Sequence, residues 1–332
     1  MAERTRRVTS SDVAAASGVS QATVSYVINN TPGQTISDAT RARVLRAVEE
    51  LGYVPSFAGR TLRQGQTHNI LLDMRDTPQG FEAVFVNSFC DILDAHGYTV
   101  AVLHASGDAP GSLENLSQAL SPVAVVSLAH LPPEQVSFLR RVGVRKIAWV
   151  DFDTHASDAA QMMTLTGIAQ IEHLHRTGRT DVAYVMPTEK GVQKVAFMRA
   201  AGAGKRAREL GLRFRVVDGS NDLAELAALL RATLGDAVHP IDAVACFTDQ
   251  VAFQVLGALH ELKVPVPDQV AVIGVNDSPI APFAIPPLTS VQVPAAKFGE
   301  DMALRVLLAL GHDVELLGPE AFSFPIAVRD SA

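Results

Sequence analysis

Cysteine is scarce in this 332-residue chain, and long apolar runs are missing from it. The two cysteines, Cys90 and Cys246, are too few for the disulfide framework of a small secreted protein. No apolar run reaches the roughly 18 residues that a membrane-spanning helix requires. The polar residues that follow the N-terminus lack the apolar segment of a secretory signal. We therefore expect a reduced, cytoplasmic protein without a transmembrane segment.

Lysine is absent from the first 63 residues, where eight arginines and five acidic residues give a formal charge of +3. The remaining residues carry a charge of −10, so that the whole chain has a charge of −7 at pH 7. An arginine-rich head on an acidic body is suited to local binding of a polyanion. A head that is simply solvated would have the same composition, so charge alone leaves both interpretations open.

Three short helices are predicted in this head, because each follows a hydroxyl-bearing residue that can cap its first turn. They cover residues 11–17, 20–29 and 38–51. A tight turn at Gly18 and Val19 joins the first two, and together with a supporting third helix this order is typical of a helix-turn-helix unit. The second helix of such a unit enters the major groove of DNA. An ordinary helical bundle with a polar surface would show the same pattern.

The predicted second helix has one apolar face and one polar face. Val24, Val27 and Ile28 fall on the apolar face, which can pack against apolar side chains of the other two helices. Those side chains are Val13, Ala14, Val44, Val48 and Leu51. The polar face carries small and amide side chains that can form hydrogen bonds in a groove, namely Gln21, Ala22, Ser25, Tyr26 and Asn29.

From residue 69 onward, short apolar runs alternate with amphipathic helical stretches. The predicted strands are 70–74, 98–103, 123–127, 146–150, 182–186, 214–217, 242–247 and 270–274. Helix-length segments between them include 82–96, 164–177, 192–210 and 250–262. This alternation predicts right-handed βαβ units in two doubly wound parallel sheets, with a cleft between the two lobes. The predicted fold class is α/β, with a small all-α head and two parallel-sheet lobes.

Two stretches of the head carry a specific pattern, VTSSDVAAASGVSQATVSYVIN and ISDATRARVLRAVEELGYVPSFAGRTLR. Weaker motifs follow in the body, RAAGA at 199–203, CFTDQVAFQVLGAL at 246–259, VAVIGVNDSPIAPFAIPPLTSV at 270–291 and FPIAVRDS at 324–331. Together they resemble the LacI/GalR (lactose-repressor) family of bacterial transcription regulators over nearly the whole chain.

The resemblance implies a domain order as well as a function. It divides the chain into a helix-turn-helix DNA-binding headpiece over 1–54, a hinge helix and linker over 55–68, and a two-lobed domain over 69–332. That last domain would bind an effector, mediate dimerisation and be similar to periplasmic sugar-binding proteins. The implied function is that of a regulator, a repressor, whose affinity for operator DNA changes with a small molecule in the cleft between the lobes.

The positions of the second helix can be carried over one by one. Gln21 and Ala22 match the two family positions that read bases, and Thr23 and Ser25 match hydroxyl groups that contact phosphate. Tyr26 replaces the more usual arginine, and its phenol offers one hydrogen bond and a ring for a thymine methyl group in place of a bidentate guanine contact. The implied DNA-binding residues of this helix are Ser20, Gln21, Ala22, Thr23, Ser25, Tyr26 and Asn29.

Residues 56–63 match the family's hinge helix, which binds the minor groove. Leu62 matches the leucine that wedges between base pairs and kinks the DNA, and Ser56 and Arg60 complete the implied DNA contacts of this segment. Ser56 stands where asparagine is usual, and Gly59 stands where alanine is usual. Gly59 lowers helix stability by about 1 kcal/mol relative to alanine, which suits a hinge that folds only on DNA but is equally explained by neutral drift.

Five body residues fall at positions where the family binds its effector. Arg199 matches the effector-binding arginine, whereas Thr248 and Asn276 stand where asparagine and aspartate are more common. Asp76 and Phe81 follow the first strand, where the family lines the cleft. All five are therefore implied effector-binding residues.

The side chains at the effector positions predict the class of effector. Sugar hydroxyl groups are best held by carboxylates and amides in fixed directions. Met162 stands at a further family position, where aspartate is common. Met162, Thr248 and Asn276 supply no carboxylate, so Arg199 is the strongest charge in the cleft unless Asp76, Asp249 or Asp277 turns inward. Because a buried guanidinium without a negative partner is costly, we expect a phosphorylated sugar or another small anion to bind better than a neutral sugar.

An enzyme is the rival class, and the sequence does not favour it. His173 and His175 are two residues apart, which places them on different faces of a helix and disfavours a metal pair. The glycine-rich GAGKRA at 202–207 lies within a predicted helix, and no phosphate-binding or nucleophile-elbow motif follows a strand. We predict a non-enzymatic protein without cofactor or metal.

The predicted partners are near-palindromic double-stranded operator DNA, a small-molecule effector and a second copy of the chain, with no membrane, and the expected location is the nucleoid in the cytoplasm. A two-lobed small-molecule binding protein whose headpiece no longer regulates through DNA is the alternative function.

Overall fold

The computed structural model describes residues 8–28, 33–53, 67–75, 82–104, 111–128, 131–149, 158–235 and 240–332. The chain forms two units, residues 1–67 and 68–332. The predicted boundaries of headpiece, hinge and two-lobed domain remain predictions, because residues 54–66 lie outside the described part. Across the described ranges, no helix combines the length and the apolar character needed to cross a membrane.

Within its described residues, the first unit contains three helices around a small apolar core. They are α1 (Ser10–Ser17), α2 (Gln21–Ile28) and α3 (Asp38–Glu50). The apolar face predicted for α2 is buried, and the core consists of Val13, Ala14, Val24, Val27, Val44 and Ala47. Leu51 was expected to join this core but is 36% exposed, because α3 ends at Glu50 and Leu51 is already its C-cap.

Polar caps determine where these helices begin. Thr9 and Asp12 bond reciprocally to each other's backbone at the start of α1, and the hydroxyl of Ser20 accepts a hydrogen bond from the backbone N–H of Thr23 at the start of α2. Gly18 has a φ of 65°, a left-handed conformation that a β-carbon disfavours. The chain can therefore reverse direction in the short turn before α2.

The second unit contains ten strands and eight longer helices within the described ranges. The strands are β1 (Asn69–Asp73), β2 (Thr99–Leu103), β3 (Ala124–Ser127), β4 (Lys146–Trp149), β5 (Asp181–Val185), β6 (Arg213–Val217), β7 (Ala243–Cys246), β8 (Ala271–Val275), β9 (Thr289–Val291) and β10 (Ile326–Ala327). The helices are α4 (Glu82–Ala95), α5 (Ser112–Leu120), α6 (Pro133–Arg141), α7 (Asp158–Arg176), α8 (Gln193–Glu209), α9 (Leu223–Leu234), α10 (Asp249–Glu261) and α11 (Ala295–Leu310).

The strands form two sheets, one in each lobe. The first sheet has the order β2–β1–β3–β4, and all its strands are parallel. The second has the order β10–β9–β8–β7–β5–β6, in which β10 alone runs antiparallel to its neighbour. The predicted α/β class with two parallel-sheet lobes is confirmed. The eight strands predicted from the sequence leave out β9 and β10 of the second sheet, because these two are too short to show a hydrophobic period.

The last long helix, α11, returns to the first lobe and packs against α4. Gly299 makes this close approach possible, because a β-carbon there would overlap the carbonyl oxygen of Phe85. Ala303, Val306 and Leu307 of α11 join the buried core of the first lobe. That lobe is therefore built from two separate stretches of the second unit, its first part and α11.

Candidate functional site

The predicted base-reading residues lie on the solvent side of α2. Gln21 and Ala22 are exposed and Tyr26 is half-buried, while Val24 and Val27 between them are buried. The helix thus presents its polar face outward, as a groove-binding helix must.

Two of the polar side chains on α2 are already held in place. The amide nitrogen of Gln21 donates to the hydroxyl of Ser11 on α1 at 2.7 Å, and the hydroxyl groups of Ser20 and Thr23 lie 2.9 Å apart. Ser11 was not among the predicted site residues. No local pattern could have indicated it, because it lies ten residues from Gln21 along the chain.

Six of the predicted site residues cannot be placed. The DNA-binding residues Asn29, Ser56, Arg60 and Leu62 and the effector-binding residues Asp76 and Phe81 lie outside the described residues. Their roles remain predictions from the sequence.

The three effector-binding residues within the described part are all associated with neighbouring strands of the second sheet. Arg199 lies on α8, which follows β5, while Thr248 follows β7 and Asn276 follows β8. The order β8–β7–β5 makes these strands adjacent, and their carboxyl ends share one edge because they are parallel. This is the edge at which open parallel sheets bind ligands.

Arg199 is almost completely buried, with 2% of its surface exposed. Its Nη1 atom donates to the carbonyl oxygen of Phe247 at 2.8 Å, and the ring centre of Phe247 lies 4.8 Å from the guanidinium carbon. Among the described residues, no carboxylate lies within ion-pair distance of Arg199, and its Nε atom has no hydrogen-bond partner. Burial lowers the pKa of Arg199 to about 10, so the side chain remains a cation at neutral pH.

Tyr184 on β5 adds a second buried polar group close to Arg199. Its hydroxyl group has no hydrogen-bond partner within the described ranges. Burial raises the pKa of Tyr184, and the nearby guanidinium of Arg199 opposes that rise. The protein therefore leaves two buried donors without a hydrogen-bond partner in one region, and both can donate to a ligand.

Thr248 is the N-cap of α10. Its hydroxyl oxygen accepts a hydrogen bond from the backbone N–H of Val251 at 3.4 Å, and the residue is buried. A hydroxyl that accepts in this way still has its own proton to donate. Thr248 can therefore support the helix and contact a ligand at once.

Asn276 lies in a strained loop that buried hydrogen bonds hold in place. Asn276 and the following Asp277 have φ angles of 104° and 49°, in the left-handed region that non-glycine residues rarely adopt. The buried carboxylate of Asp249 accepts from the hydroxyl of Ser290 at 2.6 Å and from the backbone N–H of Ser278 at 2.5 Å. Such strain persists only where the surroundings enforce it, and it is common at functional sites.

Neither Asp249 nor Asp277 turns toward Arg199, and Asp76 lies outside the described residues. The carboxylate of Asp249 accepts the hydrogen bonds that hold the loop just described. Burial raises the pKa of Asp249, whereas its hydrogen bonds with Ser290 and Ser278 lower it. Asp277 is bound by Arg329 at 2.7 Å and by the side-chain amide of Gln292 at 2.8 Å. The positive charge of Arg199 therefore has no negative partner from these two residues.

The carboxyl edge of the first sheet carries a charged pair that the sequence analysis missed. Asp73, the buried last residue of β1, accepts two hydrogen bonds from the guanidinium of Arg75, at 2.8 and 2.7 Å, one from its backbone N–H at 3.2 Å and one from the hydroxyl of Ser127 at 2.8 Å. The sequence signal for this pair is an aspartate at the end of an apolar run with an arginine two residues later.

The histidine pair considered for a metal does not converge. His173 is buried and His175 is exposed, so they lie on different sides of α7. The described residues contain no cluster of three or more side chains suited to hold a metal ion.

Comparison with known proteins gives consistent results for the two units. Residues 9–56 match the model described as bacterial regulatory proteins, lacI family, and residues 171–331 match a periplasmic binding protein-like domain. The transcriptional regulator CelR of Thermobifida fusca is 30% identical over 328 residues, which cover 91% of each chain. The ribose operon repressor of Escherichia coli (strain K12) is 29% identical over 316 residues, which cover 90% of this chain and 92% of the repressor.

Solved structures show the same fold. A Lac repressor dimer bound to operator and the anti-inducer ONPF superposes with a TM-score of 0.79 over 98% of this chain and 99% of that chain, at 22% identity. A complex of CelR with cellobiose superposes with a TM-score of 0.63 over 98% of this chain and 100% of that chain, at 27% identity.

The headpiece match and the relative at 30% identity agree with the helix-turn-helix unit and the two parallel-sheet lobes. They favour a regulator over the enzymatic alternatives and confirm the resemblance seen in the sequence. The chain therefore belongs to the LacI family of bacterial DNA-binding regulatory proteins.

Proposed function

We propose that this chain is a repressor that binds a near-palindromic operator as a homodimer at the nucleoid, and that a small anion beside Arg199 changes its affinity for DNA. The observation that carries the effector proposal is the buried guanidinium of Arg199, which no carboxylate of the described residues neutralises. The DNA proposal is supported by the polar face of α2 and by relatives that are named as repressors.

On DNA, α2 is the reading helix. Gln21 and Ala22 contact base edges in the major groove, and Tyr26 contacts a thymine methyl group or makes one hydrogen bond. Thr23 and Ser25 contact phosphate groups and fix the position of the helix without selecting a sequence. Since tyrosine cannot bind guanine bidentately, the preferred half-site differs from that of relatives with arginine at this position.

The operator follows from the symmetry of a dimer. Two reading helices lie about one turn of DNA apart, so the half-sites are centred roughly 10 base pairs apart or slightly less. A pyrimidine–purine step is expected at the centre, because such steps kink most easily under a wedge such as Leu62. Selection of bound sites from random DNA, followed by footprinting, tests this proposal. An asymmetric site bound by one monomer would contradict it.

A second copy of the chain is expected to cover the loop between β8 and β9. Ile280, Phe283 and Ile285 are 60%, 81% and 92% exposed within six residues of one another. Large apolar side chains grouped in this way mark an interaction surface. We assign the second copy to this surface, because a palindromic operator requires two chains.

The effector must offset the buried positive charge of Arg199. A guanidinium in apolar surroundings is stabilised by a ligand that brings its own negative charge and several acceptor oxygens. A phosphorylated sugar or another small anion meets this requirement, whereas a neutral sugar does not. The hydroxyl groups of Tyr184 and Thr248 and the amide of Asn276 are the further polar groups associated with this edge of the sheet.

Calorimetric titration of the full-length protein with glucose and with glucose 6-phosphate tests the effector class. We expect the phosphorylated sugar alone to bind, and we expect Arg199→Met to abolish this binding. Arg208→Met is the matched control, because Arg208 is an exposed arginine of the same helix. Micromolar binding of glucose that Arg199→Met leaves unchanged would contradict both the ligand class and the role of Arg199.

The alternative function, a small-molecule binding protein whose headpiece no longer regulates through DNA, makes the opposite prediction. It requires that the protein bind an effector but recognise no specific DNA sequence. Random-site selection that yields no enriched site would favour it.

A further inference from the structure

One edge of the Arg199 guanidinium is held by the protein, and the other lacks a strong acceptor. Nη1 donates to the carbonyl oxygen of Phe247 at 2.8 Å, while the Phe247 ring stacks on the group at 4.8 Å. The other edge consists of Nε and Nη2. In the described structure Nε has no hydrogen-bond partner, and Nη2 points at the sulfur atom of Met163, 3.8 Å away.

Two other arginines of this chain show what such an edge binds. Arg75 donates from Nε and Nη2 to the two carboxylate oxygens of Asp73, at 2.8 and 2.7 Å. Arg213 pairs with Asp181 through the same two atoms. Two parallel N–H groups match the spacing of two oxygens in a carboxylate or a phosphate, whereas a thioether sulfur is a weak acceptor. At Arg199, the thioether of Met163 therefore occupies the position, beside Nε and Nη2, in which an oxyanion fits.

The backbone of Met163 is fixed opposite Arg199 by the crossing of α7 and α8. A β-carbon at Gly167 would overlap the carbonyl oxygen of Arg199, and one at Gly202 would overlap the carbonyl oxygen of Thr164. At such close contact the helices cannot shift far, but the methionine side chain has three rotatable bonds. Met163 is also half-buried, whereas Arg199 is 2% exposed. Rotation of the Met163 side chain is therefore the smallest change that uncovers the Nε–Nη2 edge.

We propose that the side chain of Met163 occupies the anion position of the effector site. The phosphate or carboxylate group of the effector displaces this side chain and binds the Nε–Nη2 edge of Arg199. This inference rests on the proposed function, because it takes Arg199 as the effector-binding residue. Phe247 is then a positioning residue, since its ring and carbonyl group keep the guanidinium in one orientation with or without ligand. The side chain at position 163 sets how tightly an anion binds.

Substitutions at Met163 test this assignment by calorimetric titration of the full-length protein with inorganic phosphate and glucose 6-phosphate. Met163→Ala removes the competing thioether and is expected to tighten binding by about tenfold. Met163→Leu keeps a similar volume and is the matched control, with affinity close to wild type. Met163→Glu brings a carboxylate to the same edge and is expected to weaken binding by more than about tenfold.

A double-mutant cycle gives an independent readout that does not require the effector. Met163→Glu and Arg199→Met are combined, and urea unfolding of the four proteins is compared. We expect the two positions to be coupled, because the introduced carboxylate pairs with the guanidinium. Absence of coupling would overturn the inference.

The outcomes separate this inference from the proposed function. Phosphate binding that is lost in Arg199→Met but equal in wild type, Met163→Ala and Met163→Glu would overturn the role of Met163 and keep the role of Arg199. No anion binding by wild type or Met163→Ala would overturn the proposed effector class. Coupling in the cycle would, even then, support the Nε–Nη2 edge as an oxyanion position.

Discussion

The side-chain amide of Gln21 donates a 2.7 Å hydrogen bond to the hydroxyl of Ser11, so α1 orients the residue of α2 that we propose as a base reader. Both residues are exposed, and the bond therefore restricts rotation of the amide rather than stabilising a core. A glutamine held in one orientation presents a defined donor and acceptor pattern to a base edge. In the proposed complex with DNA, base selection therefore depends on two helices.

The first prediction removes this restraint. Ser11→Ala is expected to weaken operator binding by about fivefold, which corresponds to about 1 kcal/mol for one hydrogen bond, and to broaden base preference at the position read by Gln21. Binding to the selected operator and to its single-base variants measures both effects. Ser10→Ala removes the adjacent hydroxyl and is the control. Unchanged base preference in Ser11→Ala would show that the hydrogen bond does not orient Gln21 on DNA.

The second prediction concerns the hinge. If Leu62 is the wedge of the hinge, Leu62→Ala is expected to reduce operator affinity and DNA bending. Non-specific binding and its salt dependence are expected to stay nearly unchanged, because a wedging leucine contacts bases and not phosphate. Gel-shift titrations and a bending assay on operator and random DNA measure these quantities. If bending and operator affinity persist in Leu62→Ala, the hinge assignment is wrong.

The third prediction concerns dimerisation. The double substitution Phe283→Ser and Ile285→Ser is expected to weaken the dimer by at least about 100-fold, because it removes two large apolar side chains from each chain and each contributes about 1.5 kcal/mol or more when buried. Sedimentation velocity over a range of concentrations measures the dissociation constant. Val216→Ser is the control, because Val216 is exposed on β6, at the other edge of the same sheet. A dimer of wild-type stability would place the interface elsewhere.

The fourth prediction concerns the packing of α11 on α4. Gly299→Ala is expected to destabilise the protein by about 1–3 kcal/mol, since the added methyl group overlaps the carbonyl oxygen of Phe85. Urea unfolding measures the change. Lys297→Ala on the same helix removes an exposed ion pair with Glu300 and is expected to change stability by less than about 1 kcal/mol. Equal effects of the two substitutions would contradict the close approach of the helices.

The fifth prediction concerns acid sensitivity. Burial lowers the pKa of His173, with a smaller contribution in the same direction from Arg176 and an opposing one from a backbone hydrogen bond at Ala332. The folded state therefore favours the neutral ring, so its contribution to stability is complete above pH 6.5, the unfolded value, and falls as the pH drops below it. Thermal unfolding at pH 5.5 and 7.5 measures this dependence, which is expected to be smaller in His173→Gln. An equal pH dependence in both proteins would exclude His173 as its source.

Local chemistry explains how much of the fold was predictable. The caps at Ser20 and Ser37 and the turn at Gly18 depend on residues a few positions apart, so the helix ends of the headpiece could be predicted closely. The apolar runs likewise placed the eight longer parallel strands within about two residues of their observed ends.

The site was less predictable, because its contacts join distant residues. The contact between Arg199 and Met163 depends on the crossing of two helices. The carboxylate of Asp249 accepts a hydrogen bond from Ser290, which lies 41 residues away along the chain. Single residues of a motif indicate that a charge is present. They do not indicate which other residue neutralises it.

The return of α11 to the first lobe also affects how the chain is made. A domain whose parts are contiguous can fold as soon as it leaves the ribosome, and N-terminal domains usually do so first. Here the four strands of the first sheet are complete by Trp149, but Ala303, Val306 and Leu307 arrive about half a chain later. Until then α11 does not cover the apolar side chains of Phe85 and its neighbours. The first lobe to be synthesised is therefore among the last parts of the chain to be completed. A truncated chain that ends before α11 leaves this apolar surface exposed to chaperones and proteases.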